Sequence, residues 1–314
     1  MDDDLENAGD IAATLGLTKR SLREIDTLAS ILERRPSSAE FAYQHAVLCQ
    51  VGLPRRRVDG PRFIRRSGDA WLNVQAGMLD EGKGPVKQPV PYGPLPRLAL
   101  AHVSTFAVQN RTPDVPIGDS ASAFLRRIGV EPDGGKRFST LRRQMHALAA
   151  CYIQLGYRGV TVSGSPIEEF HAWTSDRGGE KQSSIWPGRL ILSDKFYKTL
   201  IETAVPLDMR ALNELSQSSL ALDIYTTLAH RLWRIDGSMI IHWNRLRAQF
   251  GQEYQGKDGA RTFKRKFRKA LADVLKVYPQ AKVQVIPGGI QCFCSPPPVP
   301  PRGRKSFPLF DVDG

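Results

Sequence analysis

The sequence predicts an α+β, mainly helical protein made of two tandem winged-helix (helix-turn-helix) domains behind an N-terminal helical extension. Three observations predict this class. Apolar residues recur at helical spacing in several segments, short alternating segments lie between them, and the order helix, short strand, helix, turn, helix, β-hairpin occurs twice. The expected units are a helical extension (1–60), a first winged-helix domain with its connector (61–203), a second winged-helix domain (204–295) and a Pro-rich basic tail (296–314).

The N-terminal extension is predicted to hold two helices. Apolar residues recur at helical spacing from Leu15 to Leu32, and Thr18 is the candidate N-cap. Pro36 ends this helix, and a second one is predicted over 38–51. The basic stretch PRRRVDGPRFIRRSG that follows is interpreted as a loop, AWLNVQAG as a strand, and EGKGPVKQPVPYGPLP as a turn-rich connector.

The first winged-helix unit is predicted after this connector. A helix over 97–110 is followed by a short extended piece at 115–118 and by a helix capped by Asp119 or Ser120. A longer helix is expected to begin at Ser139. Two β-like runs, IQLGYRGVTV and WPGRLILS, lie on either side of the polar loop SDRGGEKQSS and supply the expected hairpin.

The second unit repeats this order of elements. A short helix at 207–215 and the apolar helix SLALDIYTTLAHRLWRI precede a strand at 238–242. The helix RLRAQF, the turn QEYQGKDG and a basic helix from Arg261 to Tyr278 follow. AKVQVIPGGIQCFCS is then predicted to be a hairpin that turns at its Pro-Gly-Gly sequence.

The basic helix begins with RTFKRKFRKALA, in which two phenylalanines lie four residues apart. On a helical wheel the apolar side chains fall on one side: Phe263, Phe267, Ala270, Leu271, Val274 and Tyr278. The basic side chains lie mostly opposite, with Lys266 at the edge: Arg261, Lys264, Arg265, Arg268 and Lys269. The pattern therefore predicts a helix that packs by one face and presents cations on the other.

A basic helix face is often only a solvated surface. Here, however, the helix takes the third position of a three-helix unit, before a hairpin, and in that arrangement the exposed helix face enters the major groove of DNA. The net charge of +12 and the isoelectric point near 9.7 also favour a polyanionic partner, either nucleic acid or an anionic membrane. We therefore expect this helix to bind nucleic acid.

Six residues of the helix are the candidate DNA contacts: Arg261, Thr262, Lys264, Arg265, Arg268 and Lys269. The arginines suit the acceptors of guanine, and the lysines suit phosphates. The third helix of the first unit offers a weaker candidate set: Arg137, Thr140, Arg142 and Arg143. The alternative for that unit is a dimer-forming or purely structural role.

The sequence carries none of the catalytic signatures that we searched for, which were GxxxxGK[ST], GxSxG, HExxH and His-x-His. Cys292 and Cys294 lack the spacing and the further ligands of a zinc site, and are interpreted as strand cysteines. We expect no enzymatic activity, no metal and no cofactor. The acidic N-terminus and the absence of a long apolar run argue against a secretory signal and a membrane span, which makes a reducing bacterial cytoplasm the expected location.

Nine blocks of the sequence, taken in order, resemble the plasmid-encoded RepA replication initiators. They are HAVLCQVGLPRR (45–56), WLNVQAG (71–77), VPYGPLPRLALAHVSTFAV (90–108), IGDSASAFLRRIGV (117–130), FYKTLIETAVPLDMRAL (196–212), SSLALDIYTTLAHRL (218–232), IHWNRLRAQFG (241–251), FKRKFRKALADVLKVYP (263–279) and CSPPPV (294–299). No single block is a chemical signature, and the resemblance depends on their common order.

The resemblance implies a non-enzymatic initiator that binds repeated sequences (iterons) in double-stranded plasmid origin DNA through its second winged-helix domain. It also implies that host DnaA and the DnaB helicase are recruited, and that a homodimer controls plasmid copy number. A transcriptional repressor without a replication role is the alternative, because it would use the same fold. A nicking enzyme is the third hypothesis.

Overall fold

The structure is a computed structural model that describes residues 18–81, 83–118, 121–131, 134–170 and 188–300. The predicted caps Asp119 and Ser120, the loop SDRGGEKQSS and nearly all of the basic tail lie outside these residues, as does Leu15. Within the described part, every helix is too short or too polar to cross a membrane.

The chain forms an α+β structure with more helix than strand. The helices are α1 (Lys19–Glu33), α2 (Ala46–Gln50), α3 (Pro94–Asn110), α4 (Ala121–Arg127), α5 (Gly134–Ala150), α6 (Asp194–Thr203), α7 (Met209–Glu214), α8 (Ser219–Arg231), α9 (Trp243–Phe250) and α10 (Gly259–Val277). The strands are β1 (Phe41–His45), β2 (Arg62–Ser67), β3 (Ala70–Gln75), β4 (Met78–Asp80), β5 (Pro85–Lys87), β6 (Asp114–Pro116), β7 (Tyr152–Tyr157), β8 (Val160–Gly164), β9 (Ile167–Phe170), β10 (Arg189–Leu192), β11 (Ala204–Asp208), β12 (Ser238–His242), β13 (Val283–Ile286) and β14 (Gly289–Phe293).

Two three-stranded antiparallel sheets share one topology. The first has the order β6-β10-β9 and the second the order β12-β14-β13, so in each the earliest strand pairs with the last. In each case the earliest strand is followed by two helices, α4 and α5 in the first unit and α9 and α10 in the second. The repeat that the sequence predicts in the order of its elements is therefore also present in the pairing of its strands.

The first unit departs from the predicted hairpin. IQLGYRGVTV forms β7 and β8, which join β2 and β3 in a separate four-stranded sheet of order β2-β3-β7-β8. Arg158 and Gly159 both have positive φ, so a tight two-residue turn closes this run on itself. The hairpin that returns to β6 consists of β9 and β10 instead.

Three local predictions differ from the structure. Residues 41–45, predicted as helix, form β1, which pairs antiparallel with β11. In this pair Phe41 lies opposite Asp208 and His45 lies opposite Ala204. Six of the fifteen residues of the predicted basic loop form β2, because the turn Gly68-Asp69 folds it back on β3. The third helix of the first unit begins at Gly134 rather than at Ser139.

Helix α8 lies at the centre of the molecule. Every residue from Ser219 to His230 is buried, and the helix packs against α2, α3, α10 and β11. The buried apolar side chains of both repeated units belong to one cluster, which includes Phe124 and Leu148 as well as Phe267 and Leu271. The two units therefore share a core.

Candidate nucleic-acid interface

Helix α10 is fixed by an apolar face that packs as the sequence predicts. Its buried residues are Gly259, Phe263, Phe267, Ala270, Leu271, Val274 and Val277. Phe263 and Phe267 are each 1% exposed, and their ring centroids are 5.5 Å apart. Burial of two such aromatic side chains leaves the helix little freedom to rotate about its axis.

An aromatic cluster surrounds these two phenylalanines. Phe267 meets the Trp243 ring edge-on at 5.8 Å between centroids and the Phe250 ring at 5.7 Å. Phe263 contacts the Tyr254 ring at 5.7 Å. Since Trp243 and Phe250 are the two ends of α9, the cluster holds the second and third helices of the unit together.

The opposite face of α10 is cationic and open to solvent. The exposed cations of the helix are Arg261, Arg265, Lys266, Arg268, Lys269 and, near its C-terminal end, Lys276, while Thr262 and Lys264 are half-buried. The whole predicted set therefore lies on one helix, and four of its six members are exposed. Such a surface suits contacts with phosphates and with base edges.

Trp243 restrains two of these cations. The Lys264 Nζ atom lies 5.7 Å and the Arg268 Cζ atom 5.5 Å from the centroid of its indole ring. A cation at this distance over an indole face is attracted to the ring. Lys264 and Arg268 are therefore partly pre-positioned, whereas Arg265 is exposed.

The hairpin of β13 and β14 is tied to the start of α9. Trp243 donates its indole N–H to Pro287 O at 3.0 Å and its backbone N–H to Gly288 O at 3.1 Å. A side chain at Gly289 would place its Cβ atom 2.1 Å from Ile241 O, so only glycine fits there. The hairpin turn is thus held beside the helix pair that carries the cations.

The turn between α9 and α10 is anchored by buried charge. Glu253 accepts a hydrogen bond from Arg65 Nη2 at 2.7 Å and also pairs with Arg55. Arg65 donates Nη1 to Gly52 O and Leu53 O at 3.1 Å each. Arg97 pairs with Asp223 on α8 through two hydrogen bonds of 2.7 and 2.9 Å. These bonds lock β2 and α3 to the second unit.

The environment shifts the pKa values of this network. Burial lowers the pKa of Arg65 to about 10, although Glu253 and Asp223 oppose the shift. Burial alone would raise the pKa of Glu253, but Arg65 and Arg55 outweigh it and hold that pKa below its usual value. Glu253 and Arg65 therefore both remain charged at neutral pH.

The first unit does not reproduce this arrangement. Arg137 donates to Glu131 O at 2.9 Å and to Gln217 Oε1 at 3.4 Å, and Thr140 donates to Lys136 O at 2.8 Å. Arg142 is half-buried, whereas Arg143 is exposed on α5. Of the four candidates in this unit, Arg143 is therefore the one fully available to a partner.

Sequence reasoning missed the buried charge network entirely. Arg65 lies in a stretch that reads as a solvated basic loop, yet its side chain is 1% exposed. One signal was available: Gly68-Asp69 is a two-residue hairpin turn, which makes the residues before it a strand. Alternation along that strand then directs Arg65 inward and Arg66 outward.

Comparison with known proteins identifies the family of the chain. The family described as "Plasmid encoded RepA protein" matches residues 90–245, about half of the chain. The chain belongs to this RepA family. A search of curated protein sequences finds no match.

Two solved structures are similar to this chain. A selenomethionine form of domains 2 and 3 of RctB is similar with a TM-score of 0.50 at 12% identity, over 80% of this chain and 98% of that chain. Another structure of RctB domains 2–3 gives a TM-score of 0.45 at 12% identity, over 80% and 96% of the two chains. At this identity the first likeness shows a shared fold and nothing finer.

The region matched to the RepA family ends near the beginning of α9. It contains the first unit from α3 onward and the central helix α8, while β2 to β5 precede it and α10 and the hairpin of the second unit follow it in the sequence. The family match therefore does not include α10. What α10 can bind is argued from the burial and exposure of its own side chains.

The described part of the chain contains no group of three or more His, Cys, Asp and Glu side chains that could hold a metal ion. His45 and Cys49, four residues apart, are both buried, and burial raises the pKa of the Cys49 thiol well above its usual range. His45 accepts the backbone N–H of Val47 at 3.2 Å and contacts Thr199 Oγ1 at 3.2 Å. Both ring nitrogens of His45 therefore have hydrogen-bond partners within the fold.

Proposed function

We propose that this RepA-family protein is a plasmid replication initiator that binds repeated origin sequences through the exposed basic face of α10. The observation that carries the proposal is the geometry of that helix. Four cations of the predicted set are exposed on a helix whose other face is locked by an aromatic cluster. Membership of a plasmid-encoded family supports replication as the purpose of DNA binding.

We further propose that the two repeated units are winged-helix domains. The strand order β6-β10-β9 and the order β12-β14-β13 support this assignment, as does the position of two helices after the first strand of each sheet. The domain limits remain those expected from the sequence, 61–203 and 204–295. In this arrangement α10 lies in the major groove and the β13–β14 hairpin lies on the adjacent backbone.

The proposed partner is double-stranded plasmid origin DNA, with host DnaA and the DnaB helicase as further partners and a homodimer as one state of the protein. Such a protein acts by binding and needs neither catalysis nor a cofactor. Because its DNA is a plasmid, its place of action is the bacterial cytoplasm.

The proposal is tested with the DNA that flanks the gene. Footprinting of the purified protein on this DNA should reveal several protected direct repeats beside an AT-rich tract. A plasmid that carries only this region should replicate when the protein is supplied in trans, and should fail with Arg265→Ala and Arg268→Ala together. Lys195→Gln with Lys198→Gln, which removes two exposed cations from α6, is the matched control and should support replication.

Two results would redirect the proposal. A single protected inverted repeat in the promoter, with no replication in trans, would indicate the transcriptional repressor. Site-specific nicks in supercoiled origin DNA, after incubation with the protein and a divalent metal, would indicate the nicking enzyme.

A further inference from the structure

A groove lies on the surface between the basic segment after Leu53 and the third helix of the first unit. Three exposed cations from three separate elements line it: Arg57 from the segment, Lys87 from β5 and Arg143 from α5. Gln88 and Tyr92 also line the groove, and the phenol of Tyr92 can donate a hydrogen bond. Three elements distant in the sequence therefore direct positive charge to one place.

Backbone hydrogen bonds hold the walls of the groove in place. Ala76 donates its N–H to Pro61 O at 2.8 Å, and Gln88 donates its N–H to Gly77 O at 2.9 Å. Tyr92 donates its N–H to the side chain of Gln144, next to Arg143, at 2.7 Å. The groove is therefore a built feature rather than a gap between loose loops.

The lining of the groove is cationic, although the exposed Asp59 lies in the sequence between two of its residues, Val58 and Gly60. Among its described lining residues there are three cations and no carboxylate. The nearby acid Glu81 accepts a hydrogen bond from Gln88 Nε2 at 2.7 Å and lies 3.3 Å from His146 Nδ1, so its charge has partners of its own. A surface with this composition favours an extended anion with regularly spaced charges.

The same segment is fixed to the start of α10. Arg55, two residues before Arg57, pairs with Glu253 and lies with its Cζ atom 5.7 Å from the centroid of the Tyr254 ring. Tyr254 in turn contacts Phe263 on α10. A chain of direct contacts therefore connects the groove to the helix that is proposed to read DNA.

We propose that this groove binds the phosphodiester backbone of the same duplex whose major groove receives α10. Arg57, Lys87 and Arg143 contact successive phosphates on the flank of the recognised sequence, and Arg55, paired with Glu253, sets the position of Arg57 relative to α10. The groove contributes affinity and salt dependence but no sequence discrimination, because phosphate contacts are the same for every sequence. This inference rests on the proposed DNA binding by α10.

The test uses the full chain and a duplex of about 40 base pairs around the best sequence selected from a random pool. We would measure affinity between about 50 and 200 mM salt for the wild type and for the triple variant Arg57→Gln, Lys87→Gln, Arg143→Gln. The slope of log K against log salt should become shallower by about 2 to 3 units, at roughly 0.9 for each phosphate that the variant no longer neutralises. Preference for the selected over a scrambled duplex should not change.

The matched control removes three exposed cations elsewhere, Arg35→Gln, Lys195→Gln and Lys198→Gln. It should retain the wild-type slope, and all three proteins should melt at the same temperature. A second comparison shortens the duplex to the bases protected by α10. Shortening the duplex should weaken binding by the wild type but not by the triple variant, because the variant no longer contacts the phosphates of the flanking DNA.

The inference is overturned if the triple variant retains the wild-type slope, if the control shows as large a change in slope, or if shortening weakens both proteins equally. If the wild type binds vesicles that contain phosphatidylserine and the triple variant does not, while the two bind the duplex equally, the groove belongs to a lipid surface. That result also overturns the inference. The proposed function fails on a different result: selectivity for the chosen duplex that survives Arg265→Ala with Arg268→Ala. If the wild type selects no sequence at all, both proposals are wrong.

Discussion

At the scale of residues, Trp243 and Phe267 determine what α10 can present. Phe267 packs against three aromatic rings. One of them, Trp243, also contacts the exposed-face cations Lys264 and Arg268 through its indole ring. Packing and the candidate interface therefore depend on the same side chains. Substitutions that alter this core are therefore expected to change the positions of Lys264 and Arg268.

Phe267→Ala should lower the free energy of unfolding by about 3 to 5 kcal/mol, because it removes a fully buried aromatic side chain and leaves a cavity. Urea unfolding followed by circular dichroism measures this change. Lys266→Ala, one residue earlier and exposed, is the control and should change stability by about 0.5 kcal/mol or less. Equal stability of Phe267→Ala and the wild type would show that the apolar face is not packed.

Arg65→Met should also destabilise the fold, by roughly 3 kcal/mol, because it leaves the partly buried Glu253 with one cation fewer and removes the guanidinium donor from Gly52 O and from Leu53 O, of which Leu53 O keeps Arg97 Nη2. The neighbouring Arg66→Met changes an exposed side chain of the same strand and should be nearly neutral. Chemical unfolding of the two variants compares them directly. A greater destabilisation by Arg66→Met would contradict the inward orientation of Arg65.

At the scale of elements, the hairpin that follows α10 depends on close backbone contact. A Cβ atom at Gly289 would lie 2.1 Å from Ile241 O, whereas one at Gly288 would lie 3.7 Å from its nearest neighbour, His242 Nδ1. The two adjacent glycines therefore have different roles. Gly289 prevents a clash within the sheet, whereas a Cβ atom at Gly288 would make only an ordinary van der Waals contact at the turn.

Gly289→Ala should consequently destabilise the sheet of β12, β13 and β14, and Gly288→Ala should be tolerated. Hydrogen exchange of the β14 amides measures the effect locally, and we expect protection to fall by about tenfold or more in the first variant. Equal protection in both variants would contradict the described approach of β14 to β12.

The sequence predicts the helices better than the sheets. The apolar face of α10 follows from residue spacing alone, because a helix buries side chains that are close in sequence. In contrast, β1 pairs with β11, far along the chain, and its residues carry no local sign of that partner. The candidate DNA contacts on α10 were likewise local, whereas the groove of Arg57, Lys87 and Arg143 depends on three distant elements.

At the scale of the whole molecule, buried histidines connect stability to pH. Burial lowers the pKa of His45 and of His102 to about 4, and it also lowers the pKa of His146 and His230. These groups are neutral in the folded chain and take up protons on unfolding near pH 6. Stability should therefore be greatest above about pH 6.5 and decrease as the pH falls toward 4.

Urea unfolding at about pH 7.5 and about pH 5 measures this dependence. We expect the free energy of unfolding to be lower at pH 5 by several kcal/mol, with up to about 1.4 kcal/mol from each histidine for each pH unit. His45→Gln should reduce the difference, because it removes one of the buried titrating groups. Equal stability at both pH values would contradict the burial of these rings.

The central claim is that α10 recognises a DNA sequence, and a binding assay with two duplexes tests it most directly. Arg265→Ala and Arg268→Ala should each weaken binding to the selected duplex by about 1 to 3 kcal/mol and reduce its preference over a scrambled duplex. Lys276→Ala, an exposed cation at the other end of the same helix, should leave that preference intact. An unchanged footprint and an unchanged preference with both arginines replaced would contradict the claim.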